Sequence, residues 1–267
     1  MRGILRACGM VSALVAGALI LPVNGGNPAV PMKTSGRTVS SLPDLSGMAW
    51  MSGNAFLAVH DAKNDAEERG NPRVSLVRAA TTPKGVRSRA LEVRWPAPQG
   101  PSNDLESVAR IPGTQQVLLV ESGDDGSAFQ RIFLATPAAR RVKIEETVRW
   151  PTPVWNVEGS AVARVGTRLV FLYAERNQGS ASTEVRWARM RLDPLRFGAF
   201  RQARLDVPTT LGTNRPVVAI EVGADGSVVI AAAYDPDEDN GPFTSGVFRA
   251  GKLQVGPGGR SVFGPDA

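Results

Sequence analysis

Four stretches of this sequence open alike, and a chain that repeats itself every 50 to 60 residues must stack or ring similar units instead of folding around one irregular core. The first unit opens Asp44-Leu45-Ser46-Gly47-Met48-Ala49, the second Asp104-Leu105-Glu106-Ser107-Val108-Ala109, and the third Asn156-Val157-Glu158-Gly159-Ser160-Ala161. A fourth is read at Ala219-Ile220-Glu221-Val222, which puts corresponding positions 60, 52 and 63 residues apart. After each opening a short apolar run ends on a charged group: His60-Asp61, Glu121, Glu175 and Asp235. Ahead of the second and third openings Val93-Arg94-Trp95-Pro96-Ala97-Pro98 returns as Val148-Arg149-Trp150-Pro151-Thr152-Pro153.

Each unit holds about four short runs of strand composition, in the second unit Glu106 to Ile111, Gln116 to Glu121, Gln130 to Ala135 and Lys143 to Trp150, parted by Gly, Pro, Asn and Asp clusters. No long helical periodicity follows the first 25 residues. Four-stranded units of this length predict an all-β fold, a β-propeller of four four-stranded blades, in which radial repetition leaves only short sheet edges. A two-sheet sandwich is the alternative. A fifth, degenerate blade has room between Ser180 and Pro216, and the strand-like Arg37 to Leu42 is placed to complete the last blade.

The amino terminus reads differently. Arg2 and Arg6 precede an uncharged stretch from Gly9 to Leu21 and a Pro-Val-Asn-Gly-Gly break, the pattern of a secretory signal peptide over residues 1–25. Those thirteen residues cover about 20 Å as a helix, short of a roughly 30 Å hydrocarbon core, so no permanent membrane span is expected after cleavage. The expected organisation is a leader at 1–25, a loose linker at 26–36, one propeller domain at 37–256 and a tail at 257–267, in a protein exported to the periplasm or the medium.

A single histidine and a single cysteine, Cys8 within the leader, exclude zinc sites built on several histidines, disulfides and iron-sulfur clusters. No Walker loop, dinucleotide fingerprint or haem motif occurs, so no nucleotide or haem is expected and any metal must be mainly oxygen-ligated. The net charge of +6 falls to about +4 without the leader, and the arginines are scattered, so no nucleic-acid partner is expected. No G-x-S-x-G elbow accompanies His60 and Asp61, which alternate across a strand, so a serine triad is not supported. The five tryptophans read as packing between blades.

The openings Leu-Ser-Gly-Met-Ala, Asp-Leu-Glu-Ser-Val-Ala and Val-Glu-Gly-Ser-Ala resemble the repeated strands of secreted bacterial phytase-like propellers, described by an esterase-like-activity-of-phytase domain, and of the related SdiA-regulated propellers. The resemblance spans about residues 38 to 255. It implies innermost strands that point carboxylates and amides at an axial channel where calcium is often held. The matching positions are Asp44, Asp104, Glu106, Asn156, Glu158 and Glu221. Ser46 and Ala219 break the pattern, so the implied ring of ligands is incomplete.

Carboxylates gathered at one axis repel, which raises their proton affinity unless a cation compensates, and calcium with its six to eight oxygen ligands suits such a place. The bland alternative is that these acids hold neighbouring blades in register with no ion. At the ends of the next strands, His60, Glu121, Glu175 and Asp235 are candidate catalytic residues, expected on one rim with Arg131 or Arg176. The functional expectation is a calcium-dependent phosphoesterase-like hydrolase acting on a small ester or phosphoester. Its alternative is a non-catalytic propeller that binds an envelope or extracellular protein.

Overall fold

The computed structural model describes residues 45–79, 86–96, 100–123, 127–176, 182–207, 217–234 and 244–266. They form a β-propeller of four blades, each an antiparallel meander that starts at the centre and works outward. Blade one is β1 (Leu45–Ser52), β2 (Ala55–His60), β3 (Val74–Arg78) and β4 (Arg87–Ala90). A short β5 (Glu92–Arg94) then joins blade two, made of β6 (Leu105–Arg110), β7 (Val117–Glu121), β8 (Arg131–Pro137) and β9 (Arg141–Arg149), by pairing parallel to β9. Blade three comprises β10 (Val157–Val165), β11 (Arg168–Glu175), β12 (Ser182–Leu192), β13 (Leu195–Phe197) and β14 (Arg201–Asp206). Blade four is β15 (Val217–Val222), β16 (Ser227–Tyr234), β17 (Thr244–Val255) and β18 (Ser261–Pro265).

Two expectations change. The stretch from Ser182 to Asp206 makes no fifth blade, because β13 and β14 share the outer edge of the long β12, pairing with Met190 to Leu192 and with Ser182 to Trp187. The residues set aside as a tail carry β18, which pairs with β17 and supplies the outer strand of blade four. Arg37 to Leu42 lies outside the described residues.

Alternation along the strands explains the packing. Leu57, Val59, Leu119 and Phe133 share an apolar cluster between blades one and two, Leu118, Ile132, Phe171 and Tyr173 one between two and three, and Leu172, Trp187, Ile230 and Phe248 one between three and four. Successive residues of β7 and β11 thus serve opposite neighbours, as a strand buried on both faces requires. The Trp-Pro pairs end outer strands: Trp150 follows β9 and packs on Tyr173, and Trp95 follows β5 and packs on Phe133. Trp50 and Trp155 depart from the packing expectation, being 53% and 71% exposed.

The innermost strands β1, β6, β10 and β15 follow one another around the centre. Each begins with a β-bulge, where two residues face one on the partner strand. The extra residues are Ser46, Glu106, Glu158 and Val218. After each comes a small residue, Gly47, Ser107, Gly159 or Ala219. Close approach of the next blade demands it: a Cβ on Gly47 would lie 2.8 Å from the Glu106 carbonyl oxygen, and one on Gly159 would lie 2.7 Å from the Ile220 amide nitrogen. Between blades two and three, Ser107 and Ser160 bond at 2.8 Å.

This register corrects the fourth opening. Val217 stands opposite Ala232 as Val157 stands opposite Glu175 and Leu105 opposite Glu121. The residue equivalent to Glu106 and Glu158 is therefore Val218, three positions before Glu221, and the counterpart of Glu175 is Ala232 instead of Asp235.

Candidate functional site

The bulges set the site. In a regular strand alternate residues serve the two neighbouring blades, whereas an extra residue is released from the ladder. Glu106 is released in this way at the start of β6, two residues after Asp104, and Asp61 follows the last residue of β2. Carboxylate oxygens of Asp61, Asp104 and Glu106 all lie within 4.8 Å of one another. The Asp61 amide donates to Ser46 Oγ at 3.1 Å, tying the bulge of blade one to the cluster.

Lys63 is the internal counter-ion. Its Nζ lies 2.6 Å from Asp61 Oδ1 and 2.5 Å from Asp104 Oδ1. The loop that carries it is clamped by Arg73, whose guanidinium donates to the Ser102, Glu68, Asn71 and Lys63 carbonyls. Asp104 is 4% exposed, and its Oδ2 accepts the Ser122 hydroxyl. Burial, reinforced by repulsion from Asp61 and opposed by Lys63, pushes the Asp104 carboxyl up to about 8. Burial opposes the ammonium of Lys63, but Asp104 and Asp61 outweigh it and hold the lysine charged. Asp104 therefore retains a proton well above the usual carboxylate range.

Glu106 is the least compensated member. Among the described residues no N–H or O–H donates to it. Its carboxyl is pushed well above the ordinary value, first by burial and then by repulsion from Glu158, Asp61 and Asp104, with Lys63 opposing. Glu158, the bulge residue of β10, is buried and ion-paired to Arg176 at 3.2 Å. The site is thus lopsided, with acids from the first three blades and Val218 at the fourth.

Of the residues singled out from sequence, Asp104, Glu106 and Glu158 come together here, and Asp44 and Asp235 lie outside the described residues. Asn156 adopts a positive φ of 54° in the turn before β10, where its carbonyl accepts the Arg176 amide at 2.8 Å. Glu221 is exposed on β15, and its carboxylate accepts the Val222 amide at 3.1 Å. The structure therefore gives it no place at the axis.

The strand-end candidates also separate. Glu121 and Arg131 are 0% and 2% exposed and joined at 2.7 Å, with Ser102 Oγ donating to Glu121 at 2.8 Å and the Arg131 amide at 2.9 Å. All capacity of Glu121 is spent in a buried structural pair, so it is no solvent-facing catalyst and Arg131 is no rim arginine. His60 is buried instead of lying on the rim, its Nε2 2.9 Å from Ser75 Oγ. Glu175 alone keeps partial exposure, 3.6 Å from Arg186, accepting the Trp155 amide at 3.4 Å. Burial raises its carboxyl above the ordinary value against the opposing charge of Arg186.

From the sequence Asp61 is read with His60 at the charged end of the first apolar run and given no ligand role, and Lys63 is not singled out. The signal that would have found them is the position of Asp61, one residue beyond the strand end equivalent to Glu121 and Glu175.

Comparisons with known proteins add a fold likeness. No family model matches the chain, and no curated protein sequence matches it. Among solved structures, a β-1,3-galactosidase of glycoside hydrolase family 43, with galactodeoxynojirimycin, superposes with a TM-score of 0.40 at 8% identity, covering 81% of this chain and 92% of that one. At that distance the likeness carries nothing about chemistry.

Proposed function

We propose that this chain is a cation-dependent hydrolase of phosphoesters or related esters, phytase-like in using an acidic propeller axis, with a calcium-class ion held by Asp61, Asp104 and Glu106. The observation that carries the reading is the approach of these three carboxylates to within 4.8 Å of one another. Among the described residues Lys63 pairs with Asp61 and Asp104 and Arg176 with Glu158, two positive charges beside four carboxylates counting Glu106, a difference that one divalent ion would meet. An all-oxygen donor set suits a hard cation with loose geometry.

When bound, such an ion polarises a phosphoryl or carbonyl oxygen and lowers the pKa of a bound water. The chain's own residues do the rest. Lys63 and Arg176 flank the carboxylates and would meet the charge of an anionic substrate. Glu106, to which no N–H or O–H donates among the described residues, has both carboxylate oxygens open to such an ion. With residues 1–25 read as an export leader, the place of work is the periplasm or the medium.

The test is the thermal midpoint in excess EDTA against millimolar calcium, for the wild type and for Glu106→Gln and Asp61→Asn. Saturation at one hundred times the dissociation constant adds about 2.7 kcal/mol. The expected result is a calcium-dependent rise that both substitutions abolish, followed by hydrolysis of p-nitrophenyl phosphate or acetate that EDTA stops. No rise in the wild type refutes the cation reading.

One observation favours a non-catalytic binding propeller instead. Trp155, three residues before Glu158, is 71% exposed beside Glu175, and an exposed aromatic on a rim is the kind of group that interfaces use as an anchor. A calcium-bound protein that hydrolyses neither ester would make this second reading the working one.

A further inference from the structure

Three of the four seams of the ring are sealed by apolar clusters, and among the described residues the fourth is not. Between blades four and one the described residues supply no shared cluster, and β15 and β1 do not pack side by side as β1 and β6, β6 and β10, and β10 and β15 do. Both blades nevertheless turn an apolar face to this seam. In blade four Phe248 and Ala250 point into the cluster with blade three, so Val247 points the other way, in one cross-strand row with Ala231 and Ala219. Val218, Ala231 and Ala233 form a small cluster of their own there, while Val247 is 58% exposed. In blade one Leu57 and Val59 face blade two, which leaves Phe56 and Val77 and the row Met48, Ala58 and Ser75 facing the seam, while Trp50 carries Arg110 of blade two over its ring.

We propose that this seam is the docking site of the chain's own residues 37–44, Arg37-Thr38-Val39-Ser40-Ser41-Leu42-Pro43-Asp44, which would close the ring as a wedge between blades four and one. Position argues for it first. Leu45 opens β1, the innermost strand of blade one, so the residues before it leave the fold at the inner end of the seam. Length is sufficient: eight extended residues span about 26 Å, while three intervals between four strands of a blade take about 14 Å.

Size and charge argue for it too. The facing rows place Ala219, Ala231, Ala58 and Ser75 at the seam, small side chains against which the hydroxyl residues around Val39 and Leu42 can pack. Glu221 lies on the seam side of β15, exposed, and among the described residues its carboxylate accepts only the adjacent amide. Arg37 is the cation the segment brings. The outer edge of blade four, where this segment was expected, is taken by β18.

The test is hydrogen exchange read by mass spectrometry on the full chain, with light scattering for the oligomeric state. The probes are the double variant Val39→Asp/Leu42→Asp and, from the other side, Ala231→Arg. The expected result is a monomer whose 37–44 peptide exchanges at least tenfold more slowly than an unprotected peptide, with that protection lost in both variants. If Ala231→Arg does not fold, the double variant, which touches none of the three clusters, decides alone. A monomer whose 37–44 peptide exchanges at the unprotected rate overturns the proposal. So does a dimer that protects 227–234 but not 37–44, which would make a second copy the occupant.

Discussion

Removing the charge of Asp104 should make the protein more resistant to rising pH, the opposite of what deleting a salt-bridged carboxylate normally does. Asp104 sits near the axis at 4% exposure, its carboxyl pushed up to about 8 from 3.8 by burial and by Asp61. A carboxyl whose folded-state pKa is raised binds its proton more tightly in the folded state. Between the two values the folded protein holds a proton that the unfolded chain has released, so stability falls as pH rises through that window. Each unit carries about 1.4 kcal/mol, so passing from about pH 4.5 to about pH 7.5 costs up to about 4 kcal/mol through this cluster.

Asp104→Asn removes the titration while keeping an oxygen for the Lys63 ammonium and turning an NH2 to the Ser122 hydroxyl, which can accept from it. The assay is urea unfolding in EDTA at half-unit pH steps, for wild type and variant. The wild type should lose stability relative to the variant by 2 to 4 kcal/mol over that interval, with the loss concentrated above about pH 5. Glu175 contributes the same sign in both proteins and cancels in the difference, whereas Glu106, which Asp104 repels, is raised less in the variant and adds to the difference in the same direction. A difference that is flat, or that grows in favour of the wild type with pH, would show that Lys63 fully neutralises the cluster, and the argument for a missing divalent charge would go with it.

The buried pair gives a second expectation: Arg131→Met strands Glu121 in the core and should cost about 3 to 5 kcal/mol in denaturant unfolding, whereas a cost below about 1 kcal/mol would mean that Glu121 is not sealed from water. Gly159→Ala brings a Cβ to 2.7 Å from the Ile220 amide and should lower stability by about 1 to 3 kcal/mol, read as a fall in the thermal midpoint, while an unchanged midpoint would refute the close approach of β10 and β15.

The architecture was legible because it is written in spacing. The runs in the second unit fall on β6, β7, β8 and β9 within a residue or two, and the Trp-Pro pairs mark strand ends as read. The slip came in the fourth blade, where the motif keeps its shape, Val217-Val218-Ala219, but not its acid. Searching for a carboxylate found Glu221 three residues downstream, since chemistry had been allowed to set a register that backbone pairing decides. The Glu121–Arg131 pair was missed for a related reason. Both charges flank apolar runs and look like strand ends meeting solvent, and only the hairpin register, with Val120 opposite Ile132, brings them face to face in the interior. Asp61 and Lys63 belong to a loop between β2 and β3, and no period predicts where a loop returns.

The lopsided centre follows from the same bulge occurring in all four blades with four different outcomes. Backbone geometry releases one side chain per blade from the ladder, and sequence then chooses Ser46, Glu106, Glu158 or Val218 for it. A ring of four acids would be insupportable without several cations, because each added carboxylate raises the cost of ionising the rest. Among the described residues two acids from bulges and two aspartates from adjoining turns are set against the paired Lys63 and Arg176, which lowers the repulsion. Placing Val218 at the fourth position confines the charge to the first three blades. It also leaves the inner edge of blade four apolar, beside the one seam for which the described residues offer no partner.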